Sequence, residues 1–361
     1  MTKSNIIKRF DAKRLIENLK AMRGRTSAEV AAVIKADCYG TGMENTLPLL
    51  KKCGVKKFFA QSLAGAKAAL KLLGPGFDIF VFDGVQKGDE TEFLKYGFIP
   101  CIISAEQLTN FDRAAAKAKK KPKIALHFDT GMNRTGIKKG ESFALPRNLE
   151  IILYMTHFTH MTNVQNQIRR FGEAIADLPK AKTSLIASSG AILPRALHGD
   201  IARFGFGLYW GVVSVWARIL KTTKVKKGEG IGYFGNYVAR RDMNIVTVAI
   251  GYKDGYPRSL SHTNTLLSRI GKLIRLGPGF ARSYVVIGGI KCPVVGIVSM
   301  DVLMADASAV PESVLAKAEY AEVMGDDAEL GDFRSANGYI PREMMVDLNR
   351  PNIDVSGWES A

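Results

Sequence analysis

The chain has 361 residues, 47% hydrophobic and 24% charged, which is enough to bury a large core and to make two domains. The formal net charge of +17 raises nucleic-acid binding first, but the lysines fall in short clusters ("KKCGVKK", "KAKKKPK", "KTTKVKK") with no aromatic-interleaved basic tract, so a solvated basic surface and no nucleic-acid partner are expected. No uncharged apolar stretch approaches a membrane span, the N-terminus lacks the apolar core of a signal peptide, and the four scattered cysteines have no CxxC spacing, which together predict a cytoplasmic protein with free thiols and no metal site.

Over the first 210 residues, short apolar runs alternate with amphipathic helical stretches. The runs are "VAAVI" (30–34), "KFFAQ" (57–61), "FDIFVF" (77–82), "FIPCII" (98–103), "KIALHF" (123–128), "LEIILYMTH" (149–157), "SLIAS" (184–188) and "HGDIARF" (198–204). Helices are predicted over 63–73, 105–120 and 165–178. Continuous apolar strands between helices are the pattern of a parallel sheet covered on both faces. Eight such units predict an α/β fold, a (β/α)8 TIM-type barrel over residues 1–215. The runner-up is an open doubly wound sheet, but no GxGxxG joins a first strand to its helix.

From about residue 211 the helical period fades. Short β-rich runs follow: "IVTVAI" (245–250), "KLIRL" (272–276), "YVVIGG" (284–289) and "CPVVGIVSM" (292–300), broken by turns such as "GPGF" (277–280). They predict a separate all-β domain over 216–361, with the first ~8 residues a candidate addition to it.

In such barrels the chemistry sits at the C-terminal ends of the strands. Reading off those ends gives Lys35, Asp129 with Arg134, His157, Ser188 with Ser189, and Arg203 with Gly205. Lys35 interrupts an apolar run just before a glycine-rich turn. A desolvated lysine has a depressed pKa and is suited to forming a Schiff base. The last two strand ends, "ASSGA" (187–191) and "RFGFG" (203–207), offer hydroxyls and glycine-flanked amides where these barrels usually hold phosphate. A phosphorylated aldehyde, pyridoxal 5′-phosphate (PLP), would use both features.

The motifs, in this order, resemble those of the alanine racemase family, and the resemblance covers nearly the whole chain. "AVIKADCYGTG" (32–42) is similar to AVVKANAYGHG, and "FDTGMNRTG" (128–136) to DTGMxRxG. "YMTHF" (154–158) resembles the family's next strand-end histidine motif, and "IARFGFGLYWG" (201–211) resembles VRPGIxLYG. "IGYKDGYPRSLS" (250–261) is similar to IGYADGYPRxLS, and "VGIVSMD" (295–301) to VGRVCMD. The resemblance implies that Lys35 carries PLP and that Tyr39, Ser189, the backbone of Gly205 and Phe206, and Tyr339 hold its phosphate. It sets Arg203 at the pyridine nitrogen, Arg134 at the phenolic oxygen and His157 against the ring. It further implies that Arg134 and the N–H of Met300 bind the substrate carboxylate.

Racemisation requires a proton to be added or removed on either face of a planar carbon, which two opposed groups can do without moving. The resemblance implies that Lys35 serves one face and that Tyr252, from the β domain of a second subunit, serves the other. A phenol titrates near ~10, so a base role needs a cationic neighbour. The expected protein is an L-/D-alanine racemase working as a homodimer with two shared sites. Alternatives are a racemase preferring serine or another amino acid, a PLP decarboxylase of the same architecture, and a PLP-holding protein without turnover.

Four positions depart from the family pattern. His127 stands where many members carry a CO2-modified lysine that orients the arginine matching Arg134, leaving Asp129 or a bound anion as candidate support. Leu185 stands where a histidine usually backs the arginine matching Arg203. Ser299 replaces a frequent cysteine, and "SANGYIPREMMVDLN" (335–349) only loosely matches the family's TINYE segment.

Overall fold

Runs rich in Val, Ile, Ala and Phe form the staves of a parallel barrel. The structure, a computed structural model, describes residues 4–158, 164–264, 283–329, 334–335, 338–339 and 341–348. Two units emerge, Leu15–Trp210 and a second made of Met1–Arg14 with Gly211–Ala361.

In the first unit the strands are β2 (Glu29–Val33), β3 (Lys57–Ala60), β4 (Asp78–Val81), β5 (Ile99–Ile102), β6 (Lys123–Asp129), β8 (Glu150–Met155), β9 (Lys182–Ser184) and β10 (Ile201–Phe204), with a short β7 (Ile137–Lys138) beside β6. Their spatial order is β10-β2-β3-β4-β5-β6-β8-β9. The barrel closes where Arg203 N–H donates to Ile186 O (3.1 Å) beside a parallel bridge between Ala187 and Arg203. Alternate residues point inward and pack in the centre: Ala31 and Val33, Phe59, Phe80, Ile99 and Cys101, Ala125, Leu153 and Met155, and Ile201. Phe59 stacks on Phe80 with centroids 4.3 Å apart. Helices Leu63–Leu73, Ala105–Lys117 and Val164–Ile175 lie close to their predicted bounds. Ser62 and Ser104 cap the first two, accepting the N–H of Gly65 (3.3 Å) and of Gln107 (3.2 Å). The seventh strand sits two residues earlier than its apolar run. Its ladder stops at Ser184, whose carbonyl accepts both Thr156 N–H and the Arg203 side chain.

The second unit is antiparallel. Its strands are β1 (Ile6–Phe10), β11 (Val213–Val225), β14 (Met243–Val248), β15 (Tyr284–Ile287), β16 (Ile290–Val295), β17 (Leu303–Asp306) and β18 (Tyr320–Met324). They run in the order β1-β11-β14-β17-β16-β15-β18, and β11 also pairs β18, so the sheet curls back on itself. A small hairpin joins β12 (Gly230–Ile231) and β13 (Tyr237–Val238). The expected division at 215/216 falls inside β11, which is continuous from 213 to 225, and fourteen N-terminal residues group with this unit because β1 zips onto β11. The runs at 272–276 and 277–280 lie outside the described residues. Among the described residues no helix is long and apolar enough to cross a membrane.

Phe93 lies wholly buried between the barrel's outer helices, with ring centroids 6.3 Å from Phe98 and 6.1 Å from Phe111. Phe93→Ala should lower unfolding free energy by about 3–5 kcal/mol, read as a fall in the urea midpoint at unchanged m-value.

Candidate active site

The segment after β2 sets the geometry. Lys35 is the second residue past the strand, after the buried Ile34, and is half-buried; Ala36, Asp37, Cys38 and Tyr39 follow with φ of 49°, 51°, 55° and 57°. None is glycine, and the left-handed region costs such residues roughly 1–2 kcal/mol each. Several bonds hold the turn. Gly40 N–H donates to Ala36 O (2.8 Å), Gly42 N–H to Asp37 O (3.0 Å), and Met43 N–H to Asp37 Oδ1 (2.7 Å). Thr41 Oγ1 donates to Cys38 O (2.8 Å). Burial pushes the Cys38 thiol far above its ordinary value, so it acts as a small apolar plug inside the turn.

The turn aims two side chains at one place. Lys35 Nζ lies 5.7 Å from the Tyr39 ring centroid, and Tyr39 stacks on Tyr209 at 5.4 Å. The Tyr39 hydroxyl rests against Gly205, where a Cβ would overlap it, so this close approach requires glycine. Ser188 Oγ accepts the N–H groups of Gly205 and Gly207, each at 3.1 Å. Ser189 lies in the 3-10 turn Ser188–Ile192, and its side chain is outside the described residues. Phe206 opens the short helical turn after Gly205, its ring 5.0 Å from Trp210.

Arg203 is buried in β10, only 2% exposed. Its Nη1 donates to Ser184 O (2.8 Å) and Ser184 Oγ (2.6 Å), and its Nη2 to Thr156 O (2.6 Å). Burial pulls its pKa down to about 10, which leaves it cationic at neutral pH. No carboxylate pairs with it, and Nε has no hydrogen-bond partner among the described residues. Sequence reasoning found Arg203 but missed Ser184 and the Thr156 carbonyl. Leu185 drew attention as the missing support, whereas the support comes from the residue before it.

His127 faces the same interior. Burial, then the charges of Arg203, His157 and Arg134, push it down to about 3, so it is a neutral imidazole. Arg134 is exposed and His157 half-buried just past β8. The structure does not give Arg134 the support expected from Asp129. Asp129 Oδ1 accepts the N–H groups of Gly131 (2.9 Å), Met132 (2.9 Å) and Asn133 (3.1 Å), closing its own loop, and Oδ2 is buried without a hydrogen-bond partner among the described residues. A cleft of about 570 Å³ on the barrel's flank, lined by Lys139, Arg169, Arg170 and Glu173 among others, holds neither Lys35 nor Arg203. Glu173 there pairs with Lys139 at 3.2 Å and with Arg169 at 2.5 Å, and Arg170 Nη1 donates to Thr130 O at 3.2 Å.

In the β unit, Tyr252 and Met300 sit on adjoining loops. Tyr252 N–H donates to Ser299 O (3.0 Å) and Lys253 N–H to Met300 O (3.1 Å). Gly251 allows this contact, because a Cβ there would overlap Met300 O. Tyr252 is 39% and Met300 51% exposed. The Arg258 guanidinium lies 5.8 Å from the Tyr252 ring centroid, and Lys253 pairs with Asp301. Tyr339 lies in a two-residue strand with Gly338, and its side chain is outside the described residues.

The sequence pattern of the alanine racemase N-terminal domain matches residues 10–212, and that of the alanine racemase C-terminal domain residues 212–354. The chain belongs to the alanine racemase family. It is 33% identical to an alanine racemase of Rhizobium meliloti (strain 1021), over 94% of this chain and 93% of that protein. It is 29% identical to a biosynthetic alanine racemase of Agrobacterium fabrum, over 92% of this chain and 89% of the relative. Among solved structures, the alanine racemase of Bartonella henselae with covalently bound pyridoxal phosphate superposes with a TM-score of 0.83 at 25% identity, covering 96% of this chain and 98% of that one.

The neutral state of His127 gives this family member a pH signature. Its folded pKa of about 3 lies below the ordinary 6.5, so the unfolded chain takes up this proton first. Stability should fall as pH drops from 6.5 toward about 3, by at most ~1.4 kcal/mol per pH unit from this group. In His127→Asn that slope should flatten, as measured by urea unfolding at stepped pH.

Proposed function

We propose that this chain is a PLP-dependent racemase of alanine in which Lys35 and Tyr252 exchange the Cα proton from opposite faces. The observation that carries the reading is the barrel mouth. There a strand-end lysine adjoins a tyrosine hydroxyl set on glycine and a buried guanidinium with an unpartnered Nε. Those features fit PLP. Arg203 Nε is a donor short of an acceptor, which a pyridine nitrogen provides, and Tyr39 beside Gly205 is a cradle for a phosphate ester.

Lys35 would bond the aldehyde carbon. Tyr39, Ser189, Tyr339 and the backbone of Gly205 and Phe206 would hold the phosphate. Arg203 would face the ring nitrogen, Arg134 the phenolic oxygen, and His157 the ring. Bound there, PLP supplies a conjugated system that acidifies the substrate Cα–H bond. The remaining work belongs to side chains. The Lys35 amine takes or returns the proton on one face and the Tyr252 phenolic oxygen on the other. Arg134 and the Met300 N–H grip the carboxylate, which fixes Cα between the two. Arg203, cationic and without a carboxylate, opposes protonation of the ring nitrogen and so suppresses side reactions.

Tyr252 and Met300 are exposed on the β unit, which supports their delivery to the barrel of a second copy, giving a homodimer with two shared sites. The same reading makes the enzyme a cytoplasmic supplier of D-alanine for peptidoglycan, in keeping with its free cysteines and with the name of the Agrobacterium relative. The decarboxylase alternative needs a reactive loop cysteine. Cys292 is instead buried in β16, its thiol pushed up to about 12, chiefly by burial.

In heavy water, L-alanine should acquire Cα deuterium and yield D-alanine. If serine or another amino acid exchanged faster, the substrate assignment would change, and if none exchanged, the racemase reading would fail. Tyr252→Phe should lower racemisation by about 10²–10⁴-fold while one enantiomer still exchanges its Cα proton through Lys35. Racemisation at the wild-type rate would remove Tyr252 from the mechanism.

A further inference from the structure

The geometry points to Ser184 as the positioning residue that aims Arg203 at the ring nitrogen, an inference that rests on the PLP reading above. Ser184 is fully buried at the end of β9. Its hydroxyl donates to Ile201 O at 2.6 Å. A hydroxyl has one proton, so the oxygen that faces Arg203 Nη1 at 2.6 Å must accept. The direction of both bonds is therefore fixed. The Ser184 carbonyl takes Nη1 as well, at 2.8 Å, so one residue grips one guanidinium nitrogen from two sides.

Thr156 O holds Nη2 at 2.6 Å, and its own strand end is anchored in turn. Thr156 Oγ1 bonds Thr130 Oγ1 at 2.8 Å, and Gln167 Nε2 donates to Thr130 Oγ1 at 3.3 Å. These partners fix the guanidinium plane and, among the described residues, leave Nε–H and one Nη2–H without an acceptor, with Nε the only nitrogen that makes no bond at all. All are neutral. A carboxylate would hold the plane equally well, but it would cancel the charge that the ring nitrogen meets. Ser184 supplies orientation without neutralisation, in a barrel where the neighbouring His127 is also uncharged.

The test compares two cofactors. PLP presents a ring nitrogen to Arg203 Nε, whereas 1-deazapyridoxal 5′-phosphate has a carbon there and is otherwise the same shape. The measurement is the dissociation constant of each with wild-type protein and with Ser184→Ala, by equilibrium dialysis. Wild type should hold PLP more tightly than the deaza analogue. Ser184→Ala should weaken PLP about tenfold and leave the analogue unchanged, so the preference for PLP collapses. Ser184→Cys, which keeps the branching of the side chain and fills the site but offers a poor acceptor, should show the same selective loss and serves if the alanine variant does not fold. Equal weakening of both cofactors would mean that Ser184 only shapes the pocket, and unchanged binding of both would mean that it does not govern Arg203. Either result overturns the inference. Wild type that bound neither compound would instead overturn the PLP reading, and this inference with it.

Discussion

The left-handed turn from Ala36 to Tyr39 is the constraint on which the barrel mouth depends. An ordinary right-handed exit from β2 would carry Tyr39 elsewhere and leave Lys35 without its aromatic neighbour. The chain instead holds four non-glycine residues where L side chains are disfavoured, and keeps them there with backbone bonds, the buried Cys38 and the Tyr39–Tyr209 stack. Strain of this kind persists only where its surroundings over-determine it, and it concentrates at functional sites. Here it brings an amine and a phenol to the place where Gly205 follows the end of β10.

The second organising feature is electrostatic. Arg203 is buried without a carboxylate, His127 is neutral beside it, and Arg134 and His157 lie at the same rim. The mouth therefore has an excess of positive charge, an environment that suits a phosphate ester and a substrate carboxylate. Asp129 is the nearby acid, and its loop already uses one of its oxygens.

Much of this was legible in the sequence, for identifiable reasons. Parallel strands buried on both faces are continuous apolar runs, so six of the eight barrel strands fell within a residue or two of their runs, and the end-of-strand rule then selected Lys35, His157 and Arg203. The strand β11 was not legible. Its outer half is lysine- and threonine-rich, and a register shift between Ile219 and Lys221 breaks the two-residue alternation that identifies a strand. The left-handed turn was invisible because no glycine marks residues 36–39. Ser184 was invisible for another reason. A serine at the mouth of a strand carries no charge and no motif, and its role appears only when Arg203, nineteen residues later, arrives to claim both of its oxygens.

The account stands on the Lys35 amine being the nucleophile that the turn presents. The most direct measurement is to load the protein with PLP, reduce it with borohydride, digest it and sequence the labelled peptide. The account predicts a single pyridoxyl group, on Lys35, and its loss in Lys35→Ala. A label on any other lysine, or PLP that washes away after reduction, would contradict it.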